Sequence, residues 1–189
     1  MKNLKTFAIA LFTMTAVTVS AQTKKTIDAS KSNITWVGKK LTGQHEGTVK
    51  IKDGALVFKG KKLSGGTVTV DMTSIAVTDL QAGKGKEKLE GHLKNDDFFA
   101  TDKHQSAKID FKTITAKSAS VYTVTADLTI KGITKPVTFD LSVAGNTATT
   151  RFKIDRTKYD IKYGSGSFFD NLGDNAISDE FEVVATIAF

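Results

Sequence analysis

Apolar and polar residues alternate along most of this chain. In 122–130 every even position carries an apolar side chain and every odd one carries threonine or aspartate. Such a period of two is typical of a β-strand with one buried face. The same pattern predicts eight or nine strands, at 34–37, 49–52, 56–58, 68–72, 107–112, 122–130, 137–143, 152–154 and 181–189.

Short glycine-containing signals between the apolar runs predict tight turns. They are Asp53-Gly54, Ser64-Gly65-Gly66, Lys131-Gly132 and Gly145-Asn146. Strands joined by such short turns are antiparallel, and no helical pattern alternates with them as a parallel β-α-β sheet would require. An antiparallel sheet of this length hides its edges in a sandwich or in a closed barrel. The alternation leaves both architectures open.

Two segments depart from the alternation. The charged stretch 84–99 places Leu89 and Leu93 four residues apart, which predicts a short helix with one apolar stripe. The stretch 164–176 is irregular and contains Phe168-Phe169. We expect both segments to bury their apolar residues, where they would cover an opening of the β-structure.

The first 21 residues have the pattern of a secretory signal peptide. Lys2 and Lys5 precede an apolar run, and Val19-Ser20-Ala21 forms a small-residue cleavage site before Gln22. The apolar run is interrupted by threonines and is shorter than the roughly 20 apolar residues of a membrane helix. The sequence therefore predicts an exported protein, periplasmic or secreted, with one mature domain at 22–189 that is not an integral membrane protein.

The formal net charge of +7 raises anionic partners, nucleic acid included. The lysines, however, alternate along strands without interleaved aromatics, which is typical of a solvated sheet face with protected edges. We therefore expect no nucleic-acid partner. Residues 24–62 hold ten lysines and three acids, whereas 170–189 hold five acids and no base. In a closed barrel these opposite charges would pair where the first and last strands meet.

Candidate catalytic chemistry is sparse. The chain has no cysteine, and His45, His92 and His104 lack metal-ligand spacing. No G-x-S-x-G motif is present. We therefore predict no enzymatic activity, metal or cofactor. Arg156 lies in phase with the apolar residues Phe152 and Ile154, so it needs either a buried acidic partner or a role at the polar end of a ligand cavity; we favour the structural pair.

The apolar face mixes large side chains with small ones. Ala107, Ala126, Ala148 and Ala185 lie in phase with phenylalanine, isoleucine and valine. An eight-stranded barrel either fills itself with side chains or holds one small ligand. The pattern itself is compatible with a cavity and with a solid core.

Four stretches together resemble the YceI-like family of exported bacterial lipid-binding proteins. They are DMTSI at 71–75, GHLKNDDFF at 91–99, DLTIKGITKPV at 127–137 and DRTKYDI at 155–161. The resemblance implies an eight-stranded antiparallel lipocalin-like barrel with one or two short helices, whose apolar interior binds a long-chain lipid, either polyisoprenoid or fatty acyl. It implies no catalysis. A homodimer is one option for its assembly.

For such a barrel the inward phase gives candidate lipid-binding residues. They are Val68, Val70, Met72, Ile109, Phe111, Val124, Leu128, Phe139, Leu141, Phe152 and Phe181, with Leu89, Leu93, Phe98 and Phe99 at one end. His92, Arg156 and Tyr159 are candidates for its polar end. Two alternatives are a small outer-membrane barrel and a solid-core domain that binds another protein. One tryptophan and three tyrosines are too few for the aromatic girdles of the former.

Overall fold

The computed structural model describes residues 21–189. Residues 1–20, which hold nearly all of the predicted signal peptide, lie outside this range. The strands are β1 (Gln22–Thr26), β2 (Asp28–Lys40), β3 (Gly43–Lys59), β4 (Lys62–Val77), β5 (Ser106–Ala116), β6 (Val121–Ile130), β7 (Ile133–Ala144), β8 (Thr147–Asp155) and β9 (Ile177–Ala188). One α-helix, α1 (Lys86–Lys94), follows β4, and 3₁₀ turns occupy Arg156–Tyr159 and Gly173–Asn175.

Strands β2 to β9 form a closed antiparallel barrel. The strand order is β3-β2-β9-β8-β7-β6-β5-β4, and β4 pairs back onto β3. Strand β1 pairs with the C-terminal part of β3, where Thr26 lies opposite Ala55. Closure removes the unpaired edges that an open sheet of this length would expose. The predicted eight-stranded barrel with short helices is confirmed.

Strand β6 shows why the alternation produces this barrel. Its residues alternate between half-buried and buried along the whole strand, and the buried set comprises Tyr122, Val124, Ala126, Leu128 and Ile130. The intervening threonines face outward, where their hydroxyls bond to polar groups of the neighbouring strand β7. One face of each strand therefore builds the interior, and the other is solvated.

Two of the four predicted turns are wrong. Lys131-Gly132 and Gly145-Asn146 do connect strands, but Asp53-Gly54 lies inside β3 and Ser64-Gly65-Gly66 lies inside β4. The connection between β3 and β4 is instead at Gly60 and Lys61. A Cβ at Gly54 would lie 2.6 Å from the carbonyl oxygen of Thr67, so this glycine permits a close approach of two strands rather than a reversal of the chain.

The predicted charge pairing at the barrel seam is also wrong. Strands β2 and β9 do meet, but Glu180 and Glu182 of β9 bind basic residues of β8 on its other side. Glu182 accepts a hydrogen bond from Arg151 at 2.7 Å, and Glu180 accepts one from Lys153 at 3.1 Å. These side chains lie next to one another on the outward faces of β8 and β9. The charges of residues 24–62 and 170–189 by themselves do not indicate this pairing.

The two irregular segments differ in how far their apolar residues are buried. The predicted helix is α1, and Val77 of β4 donates its backbone N–H to Glu90 at 2.9 Å, which fixes the helix to the barrel. Phe98 and Phe99 follow it into the core. The stretch 164–176 contradicts our expectation because Phe168 and Phe169 are about half exposed.

Candidate functional site

A cavity of about 180 Å³ lies inside the barrel. Strands β2 to β9 all contribute to its wall, together with α1 and the segment that follows it. Apolar side chains form nearly all of the lining. The interior is therefore not filled by side chains as a solid core would be, and it can take up an apolar molecule.

The cavity is elongated. On β9 its lining runs from Ile177 to Ile187, which is roughly 33 Å of strand at about 3.3 Å per residue. With the usual barrel tilt of roughly 35–45°, this corresponds to about 25 Å along the barrel axis. The cavity also joins the two clusters of the hydrophobic core, one containing Leu141 and the other Phe99. Such a shape fits an extended chain better than a compact ring system.

Most of the fifteen candidate lipid-binding residues meet in this lining. Those that do are Val68, Val70, Met72, Leu93, Phe98, Phe99, Ile109, Phe111, Leu128, Phe139, Leu141, Phe152 and Phe181. Leu89 and Val124 lie outside it. Val124 is fully buried in the core, and Leu89 packs partly buried on α1. Whether the thirteen residues bind lipid stays a prediction.

Small and aromatic side chains shape the lumen together. Ala107 and Ala185 line the cavity, so two wall positions leave space that a larger side chain would fill. Aromatic rings occupy other positions of the wall, where Phe139 stacks on Phe152 with ring centroids 4.8 Å apart and lies 5.9 Å from Phe111. The lining therefore combines small side chains with aromatic rings.

Arg156 lies at the end of the cavity near α1 and is 2% exposed. Its guanidinium donates from Nε to the carbonyl oxygen of Ser178 at 2.9 Å, from Nη1 to that of Ile161 at 2.8 Å, and from Nη2 to that of Ile177 at 3.0 Å. The acidic partner is Asp179, at 3.7 Å. The expected structural pair is therefore present, but backbone carbonyls supply most of the contacts.

Burial and neighbouring acids act on the Arg156 guanidinium in opposite directions. Burial lowers the pKa of Arg156 from its ordinary value, and the negative charges of Asp179 and Asp155 oppose that shift. The guanidinium also lies 5.8 Å from the ring centroid of Phe98, within cation–π range. Arg156 thus joins the start of β9 to the barrel end while forming part of the cavity wall.

The other two candidates for a polar end lie outside the lining. His92 on α1 packs edge-on against Tyr163, with ring centroids 4.3 Å apart. Tyr159 is 1% exposed, and desolvation by burial raises its pKa to about 12. Both residues pack at the end of the barrel near α1, which we call the covered end.

Several lining residues were not among the candidates predicted from the sequence. They include Ile34, Trp36, Gly38, Val49, Ile75, Ala107, Lys108, Ile130, Thr150, Ile154, Ile177, Ser178, Val183, Ala185 and Ile187. Val183, Ala185 and Ile187 are in phase with Phe181, so the alternation was a sufficient signal for them. Trp36 is likewise in phase with Ile34 in the predicted strand 34–37, whereas Ile177 lies at the start of β9, outside the predicted strand 181–189.

The structure also bears on metal binding and on membrane-spanning helices. Among residues 21–189, no group of three or more His, Cys, Asp or Glu side chains is placed to hold a metal ion. His45 forms a surface pair with Asp79, with Nδ1 and Oδ2 2.8 Å apart. Within the same part of the chain, no helix has both the length and the apolar character needed to cross a lipid bilayer.

Comparison with known proteins gives consistent matches. Residues 26–189 match the model of the YceI-like domain. A UPF0312 protein of Shewanella denitrificans is 33% identical over 93 residues, which are 49% of this chain and 46% of that protein. Protein YceI of Escherichia coli O157:H7 is 32% identical over 99 residues, which are 52% and 49% of the two chains. The match thus spans about half the length of these curated relatives.

Solved structures resemble the barrel closely enough to show its fold. The crystal structure of Burkholderia cenocepacia BcnA superposes with a TM-score of 0.69 at 23% identity, covering 86% of this chain and 99% of that one. A polyisoprenoid-binding domain from Saccharophagus degradans, implicated in plant cell wall breakdown, superposes with a TM-score of 0.57 at 14% identity, covering 86% and 95%.

Proposed function

This chain belongs to the YceI-like family, and on that premise we propose that it binds a long-chain lipid, polyisoprenoid or fatty acyl, inside its barrel and carries or sequesters it. The observation that carries the proposal is the elongated cavity, which apolar side chains line almost throughout. The polyisoprenoid-binding domain from Saccharophagus degradans, which has a similar fold, supports the same ligand class.

Burial of the hydrocarbon is a sufficient driving force. Each methylene group removed from water contributes about 0.8 kcal/mol. A sixteen-carbon tail therefore supplies on the order of 12 kcal/mol before the costs of ordering the chain and of association are subtracted. Because this term needs only a dry apolar lining, the proposed activity is binding rather than catalysis.

We further propose that the protein acts after export, in the periplasm or outside the cell. The support is the amino-terminal pattern, in which Lys2 and Lys5 precede an apolar run and a small-residue site ends at Ala21. The intact mass of the protein recovered from a periplasmic extract should correspond to a chain that begins at Gln22. Recovery of the full-length mass from the cytoplasmic fraction alone would refute export.

The lipid proposal is tested by native mass spectrometry and by uptake of fluorescent prenyl and acyl probes. Leu128 lines the cavity, so Leu128→Trp should block the lumen and abolish both co-purified lipid and probe uptake. Thr125→Trp is the matched control, since it adds the same side chain to the outward face of the same strand. Circular dichroism should show folded protein in both variants.

Three results would overturn the proposal. The first is wild-type protein that never carries lipid and takes up neither probe. The second is undiminished uptake by a folded Leu128→Trp variant. The third is equal loss of uptake in the Thr125→Trp control, because the effect would then not depend on the cavity.

A further inference from the structure

Large exposed apolar side chains concentrate at one end of the barrel. Within residues 21–189 the large hydrophobic side chains with high exposure are Leu41 at 77%, Phe169 at 51%, Phe168 at 50% and Tyr163 at 46%. They come from the β2–β3 turn and from the segment between β8 and β9. We call these four residues the apolar tip. The cavity does not account for them, since none belongs to its lining.

A surface groove brings these segments together. The groove has a volume of about 360 Å³, with Lys39, Lys40 and Leu41 on one side and Gly166 and Ser167 on the other. The turn that carries Leu41 thus faces the loop that carries the two phenylalanines. Tyr163 joins the same end because its ring packs against His92 of α1.

The groove and the lipid cavity share a wall. Ile177 and Ser178, at the start of β9, line both of them. Arg156 holds this wall from the inside through hydrogen bonds to both backbone carbonyls. One short stretch of strand therefore separates the exposed apolar tip from the proposed lipid site.

Cations accompany the apolar side chains. Lys39 and Lys40 precede Leu41, and within the described residues neither forms an ion pair. Lys162 lies with its Nζ 5.1 Å from the ring centroid of Phe168. Apolar side chains with adjacent lysines are typical of surfaces that lie in the headgroup region of a bilayer, where the lysine ammonium groups contact lipid phosphates.

Acidic residues moderate this attraction. Asp170 and Asp174 lie in the same loop as the phenylalanines, and Asp160 pairs with Lys162 at 2.8 Å. The apolar contacts should therefore contribute more to binding than the charges do. The two unpaired lysines beside Leu41 are the part of the surface that complements an anionic headgroup.

We propose that the apolar tip docks this barrel onto the surface of a phospholipid bilayer, with Lys39 and Lys40 contacting the headgroup phosphates. In this position the wall formed by Ile177 and Ser178 faces the membrane, so docking brings the cavity close to the bilayer surface. A role for this position in lipid exchange rests on the lipid-binding function proposed above, whereas docking is measured independently of it.

The test is flotation of the mature protein with vesicles of phosphatidylethanolamine and phosphatidylglycerol. Wild-type protein should float with the vesicles. A Phe168→Ser/Phe169→Ser double variant should lose at least tenfold in partitioning, since two large apolar side chains no longer enter the interface. Lys39→Gln/Lys40→Gln should reduce it by roughly fivefold per lysine at low salt. The matched control, Lys61→Gln/Lys62→Gln, changes adjacent lysines in the turn at the opposite end and should have no effect.

Several outcomes would refute docking. Absence of wild-type flotation would do so, as would equal loss in the control at Lys61 and Lys62, which would indicate nonspecific charge attraction. Sedimentation should show monomers at the flotation concentration. A dimer that the double phenylalanine variant abolishes, without vesicle binding, would show that the tip contacts a second copy of this chain instead.

Failure of docking and failure of lipid binding remain distinguishable. Probe delivered in solution should enter the double phenylalanine variant as it enters the wild type, because neither residue lines the cavity. Conversely, Leu128→Trp should float with vesicles while it takes up no probe. Wild-type protein that takes up probe but never floats would refute docking alone.

Discussion

Replacing Arg156 with methionine removes a guanidinium that donates hydrogen bonds to three backbone carbonyls at the end of the barrel near α1. Methionine keeps an apolar stem of similar length, so the change isolates the guanidinium. In the wild type the three N–H···O distances are 2.8, 2.9 and 3.0 Å, and the side chain is 2% exposed. The carbonyls belong to the main chain, so they stay in place and lose their donor.

The expected loss of stability follows from these contacts. A hydrogen bond to a charged group contributes about 1.5–3 kcal/mol, and an unsatisfied buried acceptor costs about 1–3 kcal/mol. Removal of the desolvated charge offsets part of this, so we expect a net loss of about 3–5 kcal/mol, as for a broken buried ion pair. In a domain of this size that corresponds to a fall of roughly 6–20 °C in Tm.

Urea unfolding of delipidated protein, followed by circular dichroism, measures this loss. Bound lipid must be removed first because any ligand of the native state raises the apparent stability. Arg151→Met is the matched control. Arg151 lies on the preceding strand with its side chain 66% exposed and forms one ion pair with Glu182, so its replacement should change stability by less than about 1 kcal/mol.

A second variant separates charge from geometry. Arg156→Lys keeps a positive charge, but one ammonium group cannot reach three carbonyls that the planar guanidinium contacts from three nitrogens. It should recover only part of the loss. If Arg156→Met stays within about 1 kcal/mol of the wild type with an unchanged m-value, the assignment of Arg156 as the stabilising link to β9 is wrong.

Three other predictions follow from local geometry. Gly47→Ala should destabilise the barrel by several kcal/mol, on the order of a strained core substitution, because the new Cβ would lie 1.9 Å from a backbone carbonyl oxygen of β4. The control Gly38→Ala should not destabilise it, because a Cβ there meets nothing within 4 Å. Equal urea midpoints for the two variants would contradict this prediction. Tyr159→Phe should leave stability unchanged or raise it by about 1 kcal/mol, because the buried hydroxyl has no hydrogen-bond partner within the described residues; a clear loss in the same assay would show that the hydroxyl has one. The pKa of Asp28 is lowered to about 2, chiefly by the hydrogen bond from the Ser30 hydroxyl, and carboxyl NMR titration should show it rise in Ser30→Ala. Because the folded pKa is depressed, the contribution of Asp28 to folding stability is present above about pH 4 and is lost as the pH falls towards 2. A wild-type pKa near 4 would refute the contact.

The positions of the strands and their inward faces follow from short-range sequence patterns. In β6 the alternation of threonine with apolar residues by itself assigns which side chains face inward, because successive side chains of a strand point to opposite faces. The same property places Phe139, Leu141 and Phe152 on the inward face before any contact is known, and in the structure all three line the cavity. Family motifs then distinguished the barrel from the sandwich, a choice that the alternation left open.

Turn signals were less reliable, because glycine has two uses in a β-structure. Gly132 and Gly145 lie in turns between strands and have positive φ angles of 74° and 58°. Gly54 and Gly66 instead lie within strands, where a Cβ would approach a carbonyl oxygen or the ring of Phe111. The same residue types serve both purposes, and only the position of the neighbouring strand decides between them.

The sequence by itself thus determined the strands, their inward faces and the family. Only the tertiary structure decided that the interior is hollow, that the carbonyls of Ile177 and Ser178 satisfy Arg156, and that Phe168 and Phe169 are exposed. The physical reason is range. Alternation is a property of neighbouring residues, whereas the space inside a barrel depends on how eight strands close around it, and a buried charge is satisfied by groups some twenty residues away along the chain.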